Sequence, residues 1–361
     1  MRFLAKHAAP LAHSSFFGAS DDETIRKFAN TWQVLVAPRL MKSFRFGVIS
    51  SPSENNSSTG TGAQDSETCV DIAETLTWLG HDFAFLRANS DLDVSLRASE
   101  VDRCFLALHG NDGGLGQIQA LLELRTIPFV GPSSAAISIA YNKVRSRQLL
   151  GYHNLPTPAS IAVESGGFPE SAARHILGWP CVVKPQQGAL GRGVFQVRKA
   201  SDLERVNQFY SEHPQDGVIE RFIEGPEFQV FVFNGRVIGI MEVESDFGNN
   251  GTQITTMNCP PRLSRGQTDG ISRLAKRATQ VLGLAHCIAR VDVLLCRRHN
   301  EIILEVEPLP PLHKNSVVAR VARSIGLSYE QLISAVITED HTVCTPWPTV
   351  LPSMSLQPSI R

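Results

Sequence analysis

The sequence predicts an α/β chain of two or three compact domains, the first of them a parallel α/β domain. Three observations predict it. Strand, glycine-rich turn and helix alternate over residues 45–135. A strand ending in a lysine runs into a glycine-rich loop between residues 179 and 193. Two apolar, acid-bearing strands flank a short turn between residues 289 and 307. At 361 residues the chain is also too long for one compact core.

Residues 1–44 stand apart as an N-terminal extension. Met1 to Phe17 carries Arg2, Lys6 and two histidines but no acid, a composition shared with organelle transit peptides. His7, Pro10 and His13 interrupt its apolar stretch and argue against a secretory signal. Ser20-Asp21-Asp22-Glu23 forms a capping box, and Ile25, Phe28, Ala29 and Trp32 stripe one face, so the extension is expected to be helical.

Over residues 45–135 each element has its own signal. Phe46-Gly47-Val48-Ile49 is a short buried strand, and residues 50–65 are a Ser/Gly/Asn-rich loop. Glu67 to Leu79 is helical, with Val70, Ala73, Leu76 and Leu79 as its expected inner stripe. Cys104 to Leu108 is a strand ending in His109-Gly110-Asn111-Asp112-Gly113-Gly114. In a parallel sheet the functional edge lies at the carboxyl ends of the strands, where that turn falls.

Composition narrows the function. With 34 basic and 35 acidic residues the net charge is −1, which gives no general attraction to nucleic acid or to an anionic membrane. No apolar run reaches the ~20 residues needed to span a bilayer. Cys69, Cys104, Cys181, Cys259, Cys287, Cys296 and Cys344 are scattered without a C-x-x-C pair. They read as reduced core thiols in a cytoplasmic protein.

The chemistry concentrates downstream. Trp179 to Pro185 is a strand carrying Lys184, the loop Gln186 to Gly193 holds Gly188, Gly191 and Gly193, and Val194 to Val197 resumes a strand. Such a loop can fold backbone N–H groups over phosphates beside a fixed cation. It lacks the G-K-[ST] of a Walker motif, and on its own a glycine-rich hairpin is often only a turn. Glu220 and Glu227 flank an apolar hinge before the strand Phe228 to Phe233, a pattern suited to gripping an adenine and its ribose, or equally to a solvated strand edge. Asp292, Glu305 and Glu307 lie in apolar strands where unpaired carboxylates would be costly. Strand alternation puts Glu305 and Glu307 on one face, and Arg290 beside Asp292. The set suits Mg²⁺ bridging phosphates, with a structural Arg–carboxylate network as the alternative.

Together these motifs resemble the ATP-grasp superfamily, and within it the D-alanine–D-alanine ligase branch. The resemblance runs from about Arg45 to Ile337. It is carried by the run Leu108 to Gln119, I-P-F-V-G at Ile127, L-P-T-P at Leu155, V-V-K-P, I-E-R-F-I-E-G-P-E, C-P-P at Cys259, A-R-V-D and L-E-V-E-P-L-P. It implies an ATP-grasp fold with a substrate domain at 45–135, a central lid at 136–217, a C-terminal ATP-grasp domain at 218–340 and a tail at 341–361. It also implies roles. Lys143 and Lys184 would contact ATP phosphates, the loop glycines would cover them, and Glu220, Phe222 and Ile223 would line the adenine hinge. Glu227 would bind ribose. Asp292, Glu305 and Glu307 would hold two Mg²⁺ ions, for which Mn²⁺ could substitute, and Arg290 would serve the reacting phosphate. His109 and Ser316 would meet substrate. A homodimer is compatible with the resemblance.

Family chemistry is phosphoryl transfer from ATP to a small carboxylate, then attack by an amine. The departures fall on substrate-binding positions. Gly114 and Leu115 stand where the family carries acids, Leu190 and Gly191 replace a serine pair, and Asp246 to Gly251 replaces a substrate-covering loop. Glu307 replaces an asparagine and Pro311 a glycine. A ligase using something other than two D-alanines is therefore expected. The alternatives are a genuine D-alanine–D-alanine ligase and a nucleotide-binding protein without catalysis.

Overall fold

The computed structural model describes residues 43–51, 62–108, 115–164, 168, 177–188, 191–248, 251–296 and 300–339. The expected N-terminal helix, the turn bearing His109 and Gly114, loop residue Leu190, residues 297–299 of the turn between the acidic strands, and the tail lie outside them.

The first unit is a parallel sheet of β1 (Arg45–Ser50), β2 (Asp82–Arg87), β3 (Arg103–Ala107) and β4 (Phe129–Val130), in the order β2-β1-β3-β4. Among the described residues three helices accompany it: α1 (Gly62–Trp78), α2 (Leu92–Ala98) and α3 (Gln117–Leu124). Phe46, Val48 and Ile49 of β1 are buried, as a strand with both faces covered requires. The expected stripe of α1 needs correction. Ala73 and Leu76 do face the core with Cys69 and Ile72, but Val70 is 53% exposed. Three-residue steps fall about 60° short of a full turn, so positions nine apart lie on roughly opposite sides.

The helices α4 (Ser134–Tyr141) and α5 (Lys143–Tyr152) follow. Asn142 caps α5, its side chain accepting from the N–H groups of Val144 (3.1 Å) and Arg145 (3.0 Å). That cap fixes Lys143 in the first turn. The second sheet is antiparallel, β5 (Ser160–Val163), β6 (Cys181–Pro185), β7 (Phe195–Val197) and β8 (Gly217–Arg221), ordered β5-β8-β6-β7. The helix α6 (Leu203–Glu212) packs Val206, Phe209 and Tyr210 against Phe195 and Ile219.

The third sheet is antiparallel: β9 (Glu227–Phe233), β10 (Arg236–Phe247), β11 (Thr252–Asn258), β12 (Ala289–Leu295) and β13 (Glu301–Glu307), ordered β11-β10-β9-β12-β13. Alternation along β9 sends Phe228, Val230 and Val232 to a core shared with α7 (Arg265–Val281). Phe231 and Phe233 enter another shared with α8 (Val317–Ser324), α9 (Tyr329–Glu339) and α1. The strand expected at the start of the C-terminal unit, β8, pairs instead with β5 and β6. Helices α4 and α5, grouped by sequence with the lid, bury Ala136, Ala140 and Leu150 against the third sheet. Strand pairing and apolar burial, not chain order, set these memberships.

Candidate active site

A cleft of about 950 Å³ lies between the second and third sheets. Its floor is the β12–β13 pair, in which Asp292 sits opposite Glu305 and Arg290 opposite Glu307. Arg290 donates from Nε to Asp292 Oδ1 (2.8 Å) and from NH2 to Oδ2 (2.9 Å), a bidentate charge-assisted pair. Burial raises the Asp292 carboxyl, with Arg290 opposing, and pushes Glu307 up to about 7. Glu307 accepts the Leu309 N–H at 3.3 Å. Glu305 behaves differently: burial would raise it, but Lys143, Lys184 and Arg290 hold it below the usual carboxylate range.

The two lysines come from different elements, Lys143 from α5 and Lys184 from β6. Lys143 pairs with Glu305 Oε1 at 3.2 Å and donates to the Gly188 carbonyl at 3.0 Å, so α5 is tied to both the acidic floor and the loop. The Lys143 N–H also donates to the Gln186 carbonyl (2.9 Å). Lys184, at the end of β6, pairs with Glu220 Oε2 at 2.7 Å. Burial lowers its pKa, Glu220 opposing. Phe222, Ile223 and Glu227 line the same wall, and burial lifts Glu227 to about 7 beside Asp292.

The loop glycines divide. Gly188 and Gly191 line the cleft, but Gly193 does not: its carbonyl accepts the Tyr210 hydroxyl at 3.0 Å, and a Cβ there would meet the Phe209 ring at 2.9 Å. Gly193 roots the loop on α6. Gly191 has φ +69° and its carbonyl accepts the Thr252 N–H at 3.0 Å, docking the loop on the β10–β11 turn. Ser316 also lines the cleft, and its hydroxyl caps α8 by accepting the Ala319 N–H at 3.2 Å.

The acidic floor fits a hard divalent cation. Asp292, Glu305 and Glu307 offer oxygen donors on one face, and burial holds Asp292 and Glu307 above their ordinary pKa. Among the described residues, no group of three or more acids, histidines or cysteines is arranged to hold a metal ion by itself. A cation here would draw its remaining ligands from phosphate oxygens and water.

Comparison with known proteins then decides the family. The sequence model described as D-ala D-ala ligase C-terminus matches residues 149–338, more than half of the chain. The chain belongs to the D-alanine–D-alanine ligase family. A D-alanine–D-alanine ligase of Stutzerimonas stutzeri (strain A1501) is 30% identical over 274 residues, covering 74% of this chain and 87% of the relative. One from Anaeromyxobacter sp. (strain K) is 30% identical over 279 residues, covering 73% and 88%. Among solved structures, D-alanine–D-alanine ligase from Bacillus anthracis complexed with ATP superposes with a TM-score of 0.71 at 23% identity, over 82% of this chain and 97% of that one. VanG D-Ala:D-Ser ligase from Enterococcus faecalis gives 0.65 at 18% identity, over 82% and 99%.

This family member is thus an ATP-grasp ligase that forms carbon–nitrogen bonds, with the α/β fold expected from its motifs. No helix among the described residues is long and apolar enough to cross a membrane. Sequence reasoning passed over Gln229 and His313, which line the cleft, and also Arg147 behind it. Arg147 is 7% exposed, behind Lys184 and Glu220. Its signal was available: it follows Lys143 by four residues, one helical turn along the same face.

Proposed function

We propose that this ligase activates a carboxylate with ATP and transfers it to an α-amino-acid amine, at least one of the two substrates being something other than D-alanine. In the first step a substrate carboxylate oxygen takes the γ-phosphoryl group and ADP leaves. In the second the amine nitrogen attacks the acyl carbon, an amide forms and inorganic phosphate leaves. Lys143 and Lys184 hold phosphate charge, Glu220, Phe222 and Ile223 hold the adenine, and Glu227 the ribose. Asp292, Glu305 and Glu307 would hold Mg²⁺, or Mn²⁺ in its place, which supplies neutralising charge to the triphosphate when bound. Arg290 is placed to stabilise charge on the transferring group. Ser316, at the amino end of α8, marks the acceptor end of the cleft.

One observation carries the substrate reading. A Cβ at Gly191 would lie 2.5 Å from the Thr252 carbonyl oxygen, and its φ is +69°. The serine that the family motif places there has no room in this loop. The loop is docked on the β10–β11 turn instead of presenting a hydroxyl to the site. A second reading, D-alanine–D-alanine ligase proper, is favoured by the 30% identity that extends along 87% of the Stutzerimonas relative. Purified protein incubated with ATP, Mg²⁺ and D-alanine alone, or with paired acids and amines, separates them by phosphate release and product mass. Efficient D-alanyl-D-alanine formation overturns the first reading and establishes the second.

A further inference from the structure

Arg147 is a buried cation that no part of the reaction above uses. It sits on α5, one turn after Lys143. Its NH2 pairs with Glu220 Oε1 on β8 and donates to the Leu304 carbonyl (3.0 Å) on β13, while NH1 donates to the Lys143 carbonyl (3.3 Å). Each partner belongs to, or adjoins, a residue of the nucleotide site: Lys143 itself, the hinge carboxylate Glu220, and Leu304 next to Glu305. The guanidinium therefore joins three elements that contribute to the cleft.

Its charge matters as much as its contacts. Glu220 is 2% exposed and shared, Oε2 with Lys184 at 2.7 Å and Oε1 with Arg147. A buried carboxylate facing one lysine forms a closed pair, whose ammonium has little charge left for a third group. A carboxylate facing two cations leaves the trio with one net positive charge. Among the described residues Glu220 Oε1 and Arg147 Nε each lack a well-aligned hydrogen bond, so the Arg147–Glu220 contact acts as an ion pair more than as a directed bond.

We propose that Arg147 is a positioning residue that shares the charge of Glu220 and so keeps Lys184 available to the phosphates of ATP. The proposal rests on the cleft being the ATP site. It differs from a packing role in what it does to nucleotide selectivity. Adenosine uses the hinge but has no phosphates, so loss of Arg147 charge weakens ATP and spares adenosine. Loss of packing weakens both.

The test is calorimetric titration of ATP and of adenosine, in the presence of Mg²⁺, into wild type, Arg147→Met, Arg147→Lys and the double variant Arg147→Met/Glu220→Gln. The Met variant is expected to lower the ATP-to-adenosine affinity ratio by about tenfold, the scale of one charge-assisted contact. The Lys variant keeps the charge and should stay within about threefold of wild type. The double variant removes both charges, frees Lys184 from Glu220 and restores the ratio. An unchanged ratio in the Met variant, or equal weakening of both ligands, overturns the proposal. If the Met variant does not fold, the other two decide: a tenfold loss of ratio in the Lys variant, or a double variant below wild type, overturns it. Wild-type protein that binds no ATP refutes the cleft assignment instead, and the two failures are distinguishable.

Discussion

Replacing Arg290 with methionine removes the cation that faces the acidic floor. In the folded protein its guanidinium makes two bonds to Asp292, at 2.8 and 2.9 Å, and sits opposite Glu307 in the strand register. Asp292 and Glu307 are 6% and 8% exposed, so neither can recover its hydration once Arg290 is gone. Breaking a buried pair from one side costs about 3–5 kcal/mol. For a protein of this size that corresponds to roughly 4–7 °C in Tm. The penalty should depend on pH in a definite direction. Burial already raises the Asp292 carboxyl and Arg290 opposes that rise, so in the variant the carboxyl moves higher still. Its folded form then favours the protonated acid, and the deficit relative to wild type is largest near pH 8 and shrinks towards pH 5. Adding Asp292→Asn should recover at least half of the loss, since a pair removed whole leaves no orphaned charge. Thermal unfolding of the three proteins at pH 5 and pH 8 measures all of this. A single variant within about 1 kcal/mol of wild type at pH 8, or a double variant no better than the single, would refute the reasoning.

Three further outcomes follow from the same geometry. Lys184→Ala should weaken ATP binding roughly 10–100-fold, the range of one to two charge-assisted contacts, while Glu220 stays held by Arg147; calorimetry showing wild-type affinity would remove β6 from the nucleotide site. Glu305→Gln should cut turnover at least about 100-fold, comparable to losing one electrostatic stabiliser from an active site, with its circular dichroism spectrum unchanged; retained activity at ordinary Mg²⁺ would exclude Glu305 from the reaction. At high pH, burial pushes the Cys104 and Cys181 thiols up to about 12 and about 11, from 9.0. The unfolded chain then releases these protons first, and stability present below pH 9 is lost as pH rises through 9 towards 11 and 12, by up to about 1.4 kcal/mol per pH unit per group. Urea midpoints at pH 8 and pH 10 should show a shallower loss in Cys104→Ala, and an identical slope would sink the assignment.

The residues themselves determined a great deal. The apolar runs Ala289 to Leu295 and Ile302 to Glu307 were enough to place two strands, and the side-chain period of two put Glu305 with Glu307 on one face. The strand ending at Lys184, with glycines after it, was likewise legible, because backbone geometry and composition are local properties. Local signals reached their limit where partners come from distant segments. Val70 looked like a core residue until α1 was laid on its sheet, since helical spacing has no absolute direction until something packs against it. Gly193 looked like its neighbours in the phosphate loop, and only the Phe209 ring and Tyr210 hydroxyl of α6 show that it anchors the loop's foot. Membership of β8 in the second sheet depends on pairing with residues 32 to 60 positions away. Arg147 carried a helical-turn spacing to Lys143, but its partners Glu220 and Leu304 lie 73 and 157 residues on. The pattern in the chain fixed which groups could do the chemistry. Burial and charge sharing, which exist only once distant segments meet, fixed which of them hold the others in place.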